Sequence, residues 1–153
     1  MAIIDSSNTY VGRTFQEAVQ SILEGKYHMR FEQEVTIPIG RPPKGHKFDL
    51  ANGDRTIVAE CKCYSWTESG NIPSAKLMGL DEAVFYFGFL HAETQKILCM
   101  KRAVFHGKAE TLAEYYVRVH GHLLDDVSVL EISDDGTLRV IRDGATVEWA
   151  SQT

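Results

Sequence analysis

The chain has few cysteines, few prolines and no long hydrophobic segment. Its three cysteines are an odd number, and two of them, Cys61 and Cys63, lie only one residue apart, which is unlike a disulfide framework. The longest apolar run, at residues 83–90, is far shorter than a membrane span, and no basic region precedes an apolar one at the N-terminus. These features predict a cytoplasmic protein that does not insert into a membrane.

An excess of basic residues is also missing. The 153 residues include 16 Lys and Arg and 21 Asp and Glu, so the formal net charge is -5. Proteins that coat nucleic acid are usually basic, because Lys and Arg contact the phosphates. Any nucleic-acid binding by this chain therefore requires a local concentration of positive charge. With 44% hydrophobic residues, a chain of this length is predicted to form one domain over residues 1–153.

One such concentration of positive charge lies in segment 41–47, which reads RPPKGHK. It contains Arg41, Lys44 and Lys47, together with two prolines and a glycine. We interpret the segment as a loop that contacts phosphate groups beside an active site. The alternative interpretation is an ordinary solvated connection between two strands.

An acidic motif follows directly. Asp49 precedes Glu60-Cys61-Lys62, and Asn52-Gly53-Asp54 between them is a strong hairpin-turn signal. We therefore predict adjacent antiparallel strands over 47–51 and 56–64, which bring the two acids together. Side chains alternate along a strand, so Glu60 and Lys62 should share one face with Tyr64. The opposite face, with its small apolar side chains, is predicted to be the core face.

Two carboxylates at this separation can bind a hard cation such as Mg²⁺, or Mn²⁺ in its place, and water and a substrate phosphate complete the coordination. The ammonium group of Lys62 would then steer or deprotonate the attacking water. The alternative is an ordinary cross-strand ion pair on a solvated sheet face.

The segment Phe48-Asp49 to Glu60-Cys61-Lys62 resembles the catalytic signature of the PD-(D/E)XK nuclease superfamily, which includes type II restriction endonucleases, Holliday-junction resolvases and RecB-like exonucleases. Phe48 stands where the family name has proline. The resemblance implies that Asp49 and Glu60 are metal ligands and that the backbone carbonyl of Cys61 is a further ligand. It also implies that Lys62 serves the attacking water.

The same family often has an N-terminal helix with a glutamate that faces the metal. Residues 12–25 are similar to such a helix, because apolar side chains at 15, 18, 19, 22 and 23 form one stripe and Gly25 is placed to end it. We predict Glu17 as the third acid, both a catalytic residue and a metal ligand. Glu24 is the competing candidate, and a plain solvated helix glutamate is the alternative for Glu17.

The remaining pattern alternates between strands and helices. We predict strands over 31–39, 96–105, 127–132 and 138–141, and helices that start at Ser74 and span 110–124, with Ser74 as a cap. The order αβββαβ over residues 12–105 matches the core that the resemblance implies. The predicted fold is therefore α/β and restriction-endonuclease-like, with a mixed central sheet flanked by helices and a C-terminal αββ extension over 106–153.

Aromatic and basic residues near the motif are candidates for contact with a substrate. Tyr64 shares the face of Glu60 and Lys62, and Lys76 lies early in the following helix. The aromatic run 85–89 is predicted to be core, with a base-stacking platform as the alternative and Tyr86 as its exposed member. Outside the motif, the imidazoles of His120 and His122 have no completing ligands in the sequence, and the cysteines are predicted to be small buried side chains rather than zinc ligands.

These observations predict a metal-dependent nuclease that hydrolyses phosphodiester bonds in nucleic acid, with DNA as the expected polymer. A homodimer is expected, because two active sites are needed to cut both strands of a duplex. One alternative is a noncatalytic nucleic-acid-binding or protein-binding module that keeps the fold. Another is a hydrolase of nucleotides or sugar phosphates that uses the same carboxylates.

Overall fold

The computed structural model describes the backbone of residues 2–146 and the side chains of residues 11–145. Within this part the elements follow the predicted order αβββαβαββ. They are α1 (Ala2–Tyr27), β1 (Phe31–Ile39), β2 (Lys44–Asn52), β3 (Ile57–Lys62), α2 (Ser74–Phe87), β4 (Gln95–Lys101), α3 (Leu112–His120), β5 (Ser128–Ile132) and β6 (Leu138–Arg142). The predicted domain also includes Met1 and residues 147–153, which lie outside the described part.

The strands form one six-stranded sheet in the order β1-β2-β3-β4-β5-β6. The pairs β1-β2, β2-β3 and β5-β6 are antiparallel, whereas β3-β4 and β4-β5 are parallel. Each parallel connection contains a helix, as parallel strands require. The α/β class and the mixed central sheet are therefore confirmed, as is the C-terminal hairpin of β5 and β6. No helix within residues 2–146 is long and apolar enough to cross a membrane.

Both faces of the sheet are packed. On one face, Val19 and Leu23 of α1 lie in a buried cluster with Ala59 and Cys99. On the other face, residues of α2 and α3 form a second cluster around Val58. The predicted alternation along β3 and the place of the Ala59 face in the core are confirmed, and the opposite face is packed as well. Helices cover both faces because the parallel strands at the centre of the sheet need burial on each side.

Helix α1 is longer at both ends than the predicted 12–25, and Gly25 does not end it. The helix continues to Tyr27, whose ring lies 6.3 Å from that of Phe31 and whose hydroxyl accepts a hydrogen bond from the side chain of Gln95. Tertiary contacts of the last turn thus outweigh the weak helix propensity of a single glycine.

Several other boundaries differ from prediction. Segment 41–47 is a loop only in its first part, because Lys44 to Lys47 belong to β2 and pair with β1. Ser74 is the first residue of α2 and makes no side-chain cap. Helix α3 begins after Thr111, whose hydroxyl accepts from the backbone amide of Glu114 while the Glu114 carboxylate accepts from that of Thr111. This reciprocal capping box satisfies two amides that the helix leaves free.

Candidate active site

Strands β2 and β3 separate at the two acids of the motif. They pair with each other through Leu50 and Ala59 and through Ala51 and Val58. Beyond these pairs, the backbone of residues 44–48 of β2 pairs only with β1, and that of residues 60–62 of β3 pairs only with β4. We call this opening, bordered by residues 44–49 and 60–62, the fork. Asp49 and Glu60 lie where it begins.

A local irregularity in the β1-β2 ladder lies beside the fork. Glu34 is the residue opposite Asp49, but this pair is missing from an otherwise continuous register, and Glu34 has a φ of 53°. Phe48 packs on the α2 side of the sheet, whereas Leu50, only two residues later, packs on the α1 side. The regular alternation is thus broken at Asp49. This break lets the Asp49 side chain reach across to β3.

The two acids of the motif are in contact. Oδ2 of Asp49 accepts a hydrogen bond of 2.7 Å from the backbone amide of Cys61, and its carboxylate is also hydrogen-bonded to that of Glu60. Glu60 is only 8% exposed. Burial, then the negative charge of Asp49 and the hydrogen bond to it, raise the pKa of Glu60 to about 9, although the charge of Lys62 opposes this shift. At neutral pH Glu60 is therefore protonated.

Lys62 belongs to a small group of residues on the α2 side of the sheet. The ammonium groups of Lys62 and Lys76 lie 6.0 and 5.8 Å from the centre of the Tyr64 ring. Gly79 allows this arrangement, because a Cβ at that position would come within 2.6 Å of the Tyr64 hydroxyl. Lys62 and Lys76 have no ion-pair partner among the described side chains. The predicted grouping of these three residues is thus present, and it places two positive charges beside the fork.

The third acid is not where the sequence predicts it. Glu17 is exposed on α1, and residues 11–145 contain no group of three or more His, Cys, Asp or Glu side chains that could hold a metal ion. The competing candidate, Glu24, accepts a hydrogen bond from the backbone amide of Phe31 and so fastens the start of β1. The residue that faces the acids from α1 is Gln16, whose amide donates to the carbonyl of Asp49 at 3.4 Å and to Glu34 at 3.2 Å.

The contact of Gln16 with Asp49 was not predicted from the sequence. Gln16, Gln20 and Glu24 recur every four residues, and all three bond to β1 or β2. This polar row adjoins the apolar stripe of α1, so its spacing was readable as a second helical face. The sequence did not reveal which row faces the fork.

The basic residues of segment 41–47 lie progressively farther from the acids. Lys47 is two residues before Asp49 on β2, whereas Arg41 lies in the turn between β1 and β2. Because a strand rises about 3.3 Å per residue, Lys44 is roughly 17 Å from Asp49 along β2. Lys44 and Lys47 also project from opposite faces of the strand. The segment is therefore a basic hairpin tip and not a lip directly over the acids.

The cysteines and histidines do not form a metal site in the described part of the chain. Cys99 is fully buried, whereas Cys61 and Cys63 are only partly buried, so the prediction of buried cysteines is wrong for these two. Burial raises the pKa values of the Cys61 and Cys99 thiols, so both stay neutral. His120 is bonded to Asp81, which also accepts a hydrogen bond from the Tyr116 hydroxyl. This contact joins α3 to α2.

The donor set at the fork fits a hard divalent cation. It consists of two adjoining carboxyl groups, those of Asp49 and Glu60. Mg²⁺ is commonly held by only one or two protein carboxylates, with water and substrate phosphate as its other ligands. The amide of Cys61 points toward Asp49, and the carbonyl of a strand residue points to the same side as its amide. An oxygen ligand from Cys61 is therefore compatible with the fork.

Comparisons of this chain with protein-family models, with curated proteins and with solved structures found no match.

Proposed function

We propose that this protein is a metal-dependent nuclease of the PD-(D/E)XK type that hydrolyses phosphodiester bonds in nucleic acid, with DNA as the expected polymer. The observation that carries the proposal is the contact between the Asp49 and Glu60 carboxylates at the fork, with Lys62 two residues further along β3. The order αβββαβ of the first six elements supports the same family. The proposal does not include Glu17 as a ligand.

Asp49 and Glu60 would hold Mg²⁺, or Mn²⁺ in its place, with the backbone carbonyl of Cys61 as a third oxygen ligand. When bound, the ion would polarise the phosphate and stabilise the negative charge that develops on it. Glu60 must give up its proton before it can act as an anionic ligand, because its pKa is about 9 in the metal-free protein. Metal binding is therefore coupled to the release of this proton.

Lys62 would orient or deprotonate the attacking water. It projects from β3 on the same face as Glu60, and no ion pair within the described part of the chain occupies its ammonium group. Lys76, on the other side of Tyr64, would bind a neighbouring phosphate oxygen. Gln16 is a positioning residue, because its hydrogen bond to the Asp49 carbonyl steadies the strand at the broken ladder.

The test is cleavage of supercoiled plasmid, single-stranded DNA and RNA by the purified protein in Mg²⁺, in Mn²⁺ and in EDTA. We expect metal-dependent cleavage that falls about 100-fold or more in Lys62→Ala. Lys26→Ala is the matched control, because Lys26 is in the last turn of α1, beside Tyr27, which contacts the start of β4 at the other end of the strands. Equal cleavage by wild type and a folded Lys62→Ala protein would overturn the assignment.

A second candidate is a noncatalytic binding module with the same fold. It is favoured by the net charge of -5 and by the lack of a third ligating side chain beside the acids in the described part of the chain. Isothermal titration calorimetry separates the two candidates. Failure of the protein to bind Mg²⁺ or Mn²⁺ at millimolar concentration, together with intact nucleic-acid binding, would favour the module.

A further inference from the structure

A groove separates the β1-β2 hairpin tip from the C-terminal end of α2. Its volume is about 510 Å³, and it lies on the same side of the sheet as the Lys62 and Tyr64 group. The residues that line it and matter here are Ile39, Pro42, Lys44, His46, Phe85 and Phe89. We call it the tip groove.

Two aromatic rings in the tip groove are unusually exposed. Phe85 is 63% exposed and Phe89 is 48% exposed, and their rings meet edge to face at 5.2 Å. The prediction that the whole run 85–89 is core is therefore wrong for these two residues, and Tyr86 is not the exposed member. Phe87 is buried, and Tyr86 is stacked on His46 at 3.8 Å. Neighbouring exposed aromatic rings that lie on well-packed side chains are typical of a binding surface.

The tip groove is also positively charged. Lys44 lines it, Arg41 lies in the adjoining turn, and residues 35–48 of the surrounding hairpin contain no acid. Neither cation has an ion-pair partner among residues 11–145. In a chain with an acidic total, unpaired cations beside exposed aromatic rings favour a ligand that is both aromatic and anionic. Nucleic acid has both properties.

We propose that the tip groove binds an unpaired nucleotide of a single-stranded nucleic acid. A base would stack on Phe85 and Phe89, whose faces tolerate any base, and the adjoining phosphate would contact Lys44 and Arg41. The groove lies roughly 10 to 17 Å from Asp49 along β2, measured from His46 and Lys44. A strand held there reaches the fork within a few nucleotides. This inference rests on the proposed nuclease function and adds that the substrate presents single-stranded bases.

The charge of the groove distinguishes this occupant from a second copy of the chain or an apolar protein segment. Either of these would cover Phe85 and Phe89 but would also take Lys44 out of water without an anion to compensate it. A polynucleotide covers the rings and supplies the anion. Double-stranded DNA fits less well, because its bases are stacked on each other and cannot reach the rings.

The experiment measures binding of short fluorescein-labelled oligothymidylate and oligouridylate by fluorescence anisotropy in EDTA, so that no cleavage occurs. We expect Phe85→Ala and Phe89→Ala each to weaken binding about 10-fold, and Phe85→Trp to preserve it. Lys44→Ala should lower the salt dependence of the binding constant by about 0.7 in the logarithmic slope. Leu123→Ala is the control, because Leu123 is similarly exposed at 62% and lies after α3.

Unchanged oligonucleotide binding in a folded Phe85→Ala protein would overturn the tip-groove proposal. Self-association of the wild type that Phe85→Ala abolishes, without any effect on oligonucleotide binding, would overturn it in favour of a dimer surface. The binding assay contains no metal, so its result is separate from the nuclease assignment. Oligonucleotide binding that depends on Phe85 and Phe89, without metal-dependent cleavage, would support the tip-groove proposal and contradict the nuclease assignment. Metal-dependent cleavage without such binding would support the nuclease assignment and contradict the tip-groove proposal.

Discussion

Two buried glutamates of the same sheet have opposite environments. Glu131 on β5 is 1% exposed, and its carboxylate accepts two hydrogen bonds from the Arg139 guanidinium, at 2.8 and 3.0 Å, and one of 2.5 Å from the Thr111 hydroxyl. Glu60 on β3 is almost as buried, but it has no ion pair in the described part of the chain, and its neighbour is another acid, Asp49. The first charge is neutralised within the protein, whereas the second is neutralised by a proton.

This difference indicates a structural role for Glu131 and a ligand-binding role for Glu60. The bonds to Glu131 join the start of α3 to β5 and β6, so the role of Glu131 is to hold these elements together. A buried carboxylate is costly unless it is paired, and at Glu60 burial and the charge of Asp49 outweigh the attraction of Lys62. That arrangement is poor for stability and good for binding a divalent cation.

The largest expected effect comes from removing the cation nearest each glutamate. Arg139→Ala should destabilise the protein by about 3 kcal/mol, because it leaves the buried Glu131 carboxylate with only the more distant Arg102 guanidinium, at 3.8 Å. Lys62→Ala should cost less than about 1 kcal/mol, because Glu60 is already neutral at pH 7. Urea denaturation of both variants measures the two values. Equal losses of unfolding free energy in Arg139→Ala and Lys62→Ala would show that Glu131 and Glu60 do not differ in their need for a cationic partner.

Neutralising each glutamate by an isosteric amide should change stability in opposite directions. The pKa of Glu60 is raised from 4.5 to about 9 on folding, so the folded state holds an extra proton between these values and stability falls as pH rises through them. Glu60→Gln should therefore stabilise the metal-free protein by about 2 kcal/mol at pH 8. Glu131→Gln should destabilise it, because the amide loses the ion pair with Arg139 and its NH2 group cannot accept the hydrogen bond that the Thr111 hydroxyl donates to Oε2. Thermal unfolding at pH 6 and pH 8 distinguishes the two, and destabilisation by both variants at pH 8 would contradict the contrast.

Binding of Mg²⁺ should depend on pH through Glu60. Below a pH of about 9, affinity should rise about 10-fold per pH unit, because a proton must leave before the carboxylate can act as a ligand. Calorimetry in buffers of different ionisation enthalpy should detect the release of about one proton per ion. Glu131→Gln is the control and should keep the same pH dependence of binding. A pH-independent affinity between pH 6 and 8 would show that Glu60 is not a ligand.

The smallest expected effect is at Thr111, which supports Glu131 and also caps α3. Thr111→Val should cost about 1 kcal/mol, because it removes the hydroxyl that donates to Glu131 and accepts from the Glu114 amide. Thr111→Ser keeps that hydroxyl and serves as the control. Both should leave Mg²⁺ affinity unchanged, and a loss of affinity in Thr111→Val would mean that the two glutamates are not independent.

Local patterns predicted much of the fold. The turn signal at 52–54 and the alternation in β3 place Asp49 and Glu60 close together, as the register of β2 and β3 shows. Boundaries were less predictable where tertiary contacts compete with local propensity. Gly25 lies inside α1 because Tyr27 packs beyond it, and Lys44 to Lys47 extend β2 because β1 offers them backbone partners.

The candidate site was predictable in its pair of acids and its lysine, but not in its surroundings. Glu17 was favoured by its position beside an apolar stripe, yet the rotation of α1 on the sheet brings Gln16 to Asp49 instead. A shift of one helical residue turns a side chain by about 100°, and apolar periodicity does not define the direction that closely. The exposed rings of Phe85 and Phe89 were missed for a similar reason, because a run of aromatic residues does not specify which of them a helix buries.

By itself, the sequence determined the order of the elements and the spacing of Asp49, Glu60 and Lys62, because hydrogen-bonding periods and turn preferences act over a few residues. Only the tertiary structure decided that β2 and β3 separate at the acids and that Glu60 is buried beside Asp49 without an ion-pair partner in the described part of the chain. Burial and long-range pairing depend on elements far apart in the chain. They set the charge state of Glu60, on which the proposed chemistry depends.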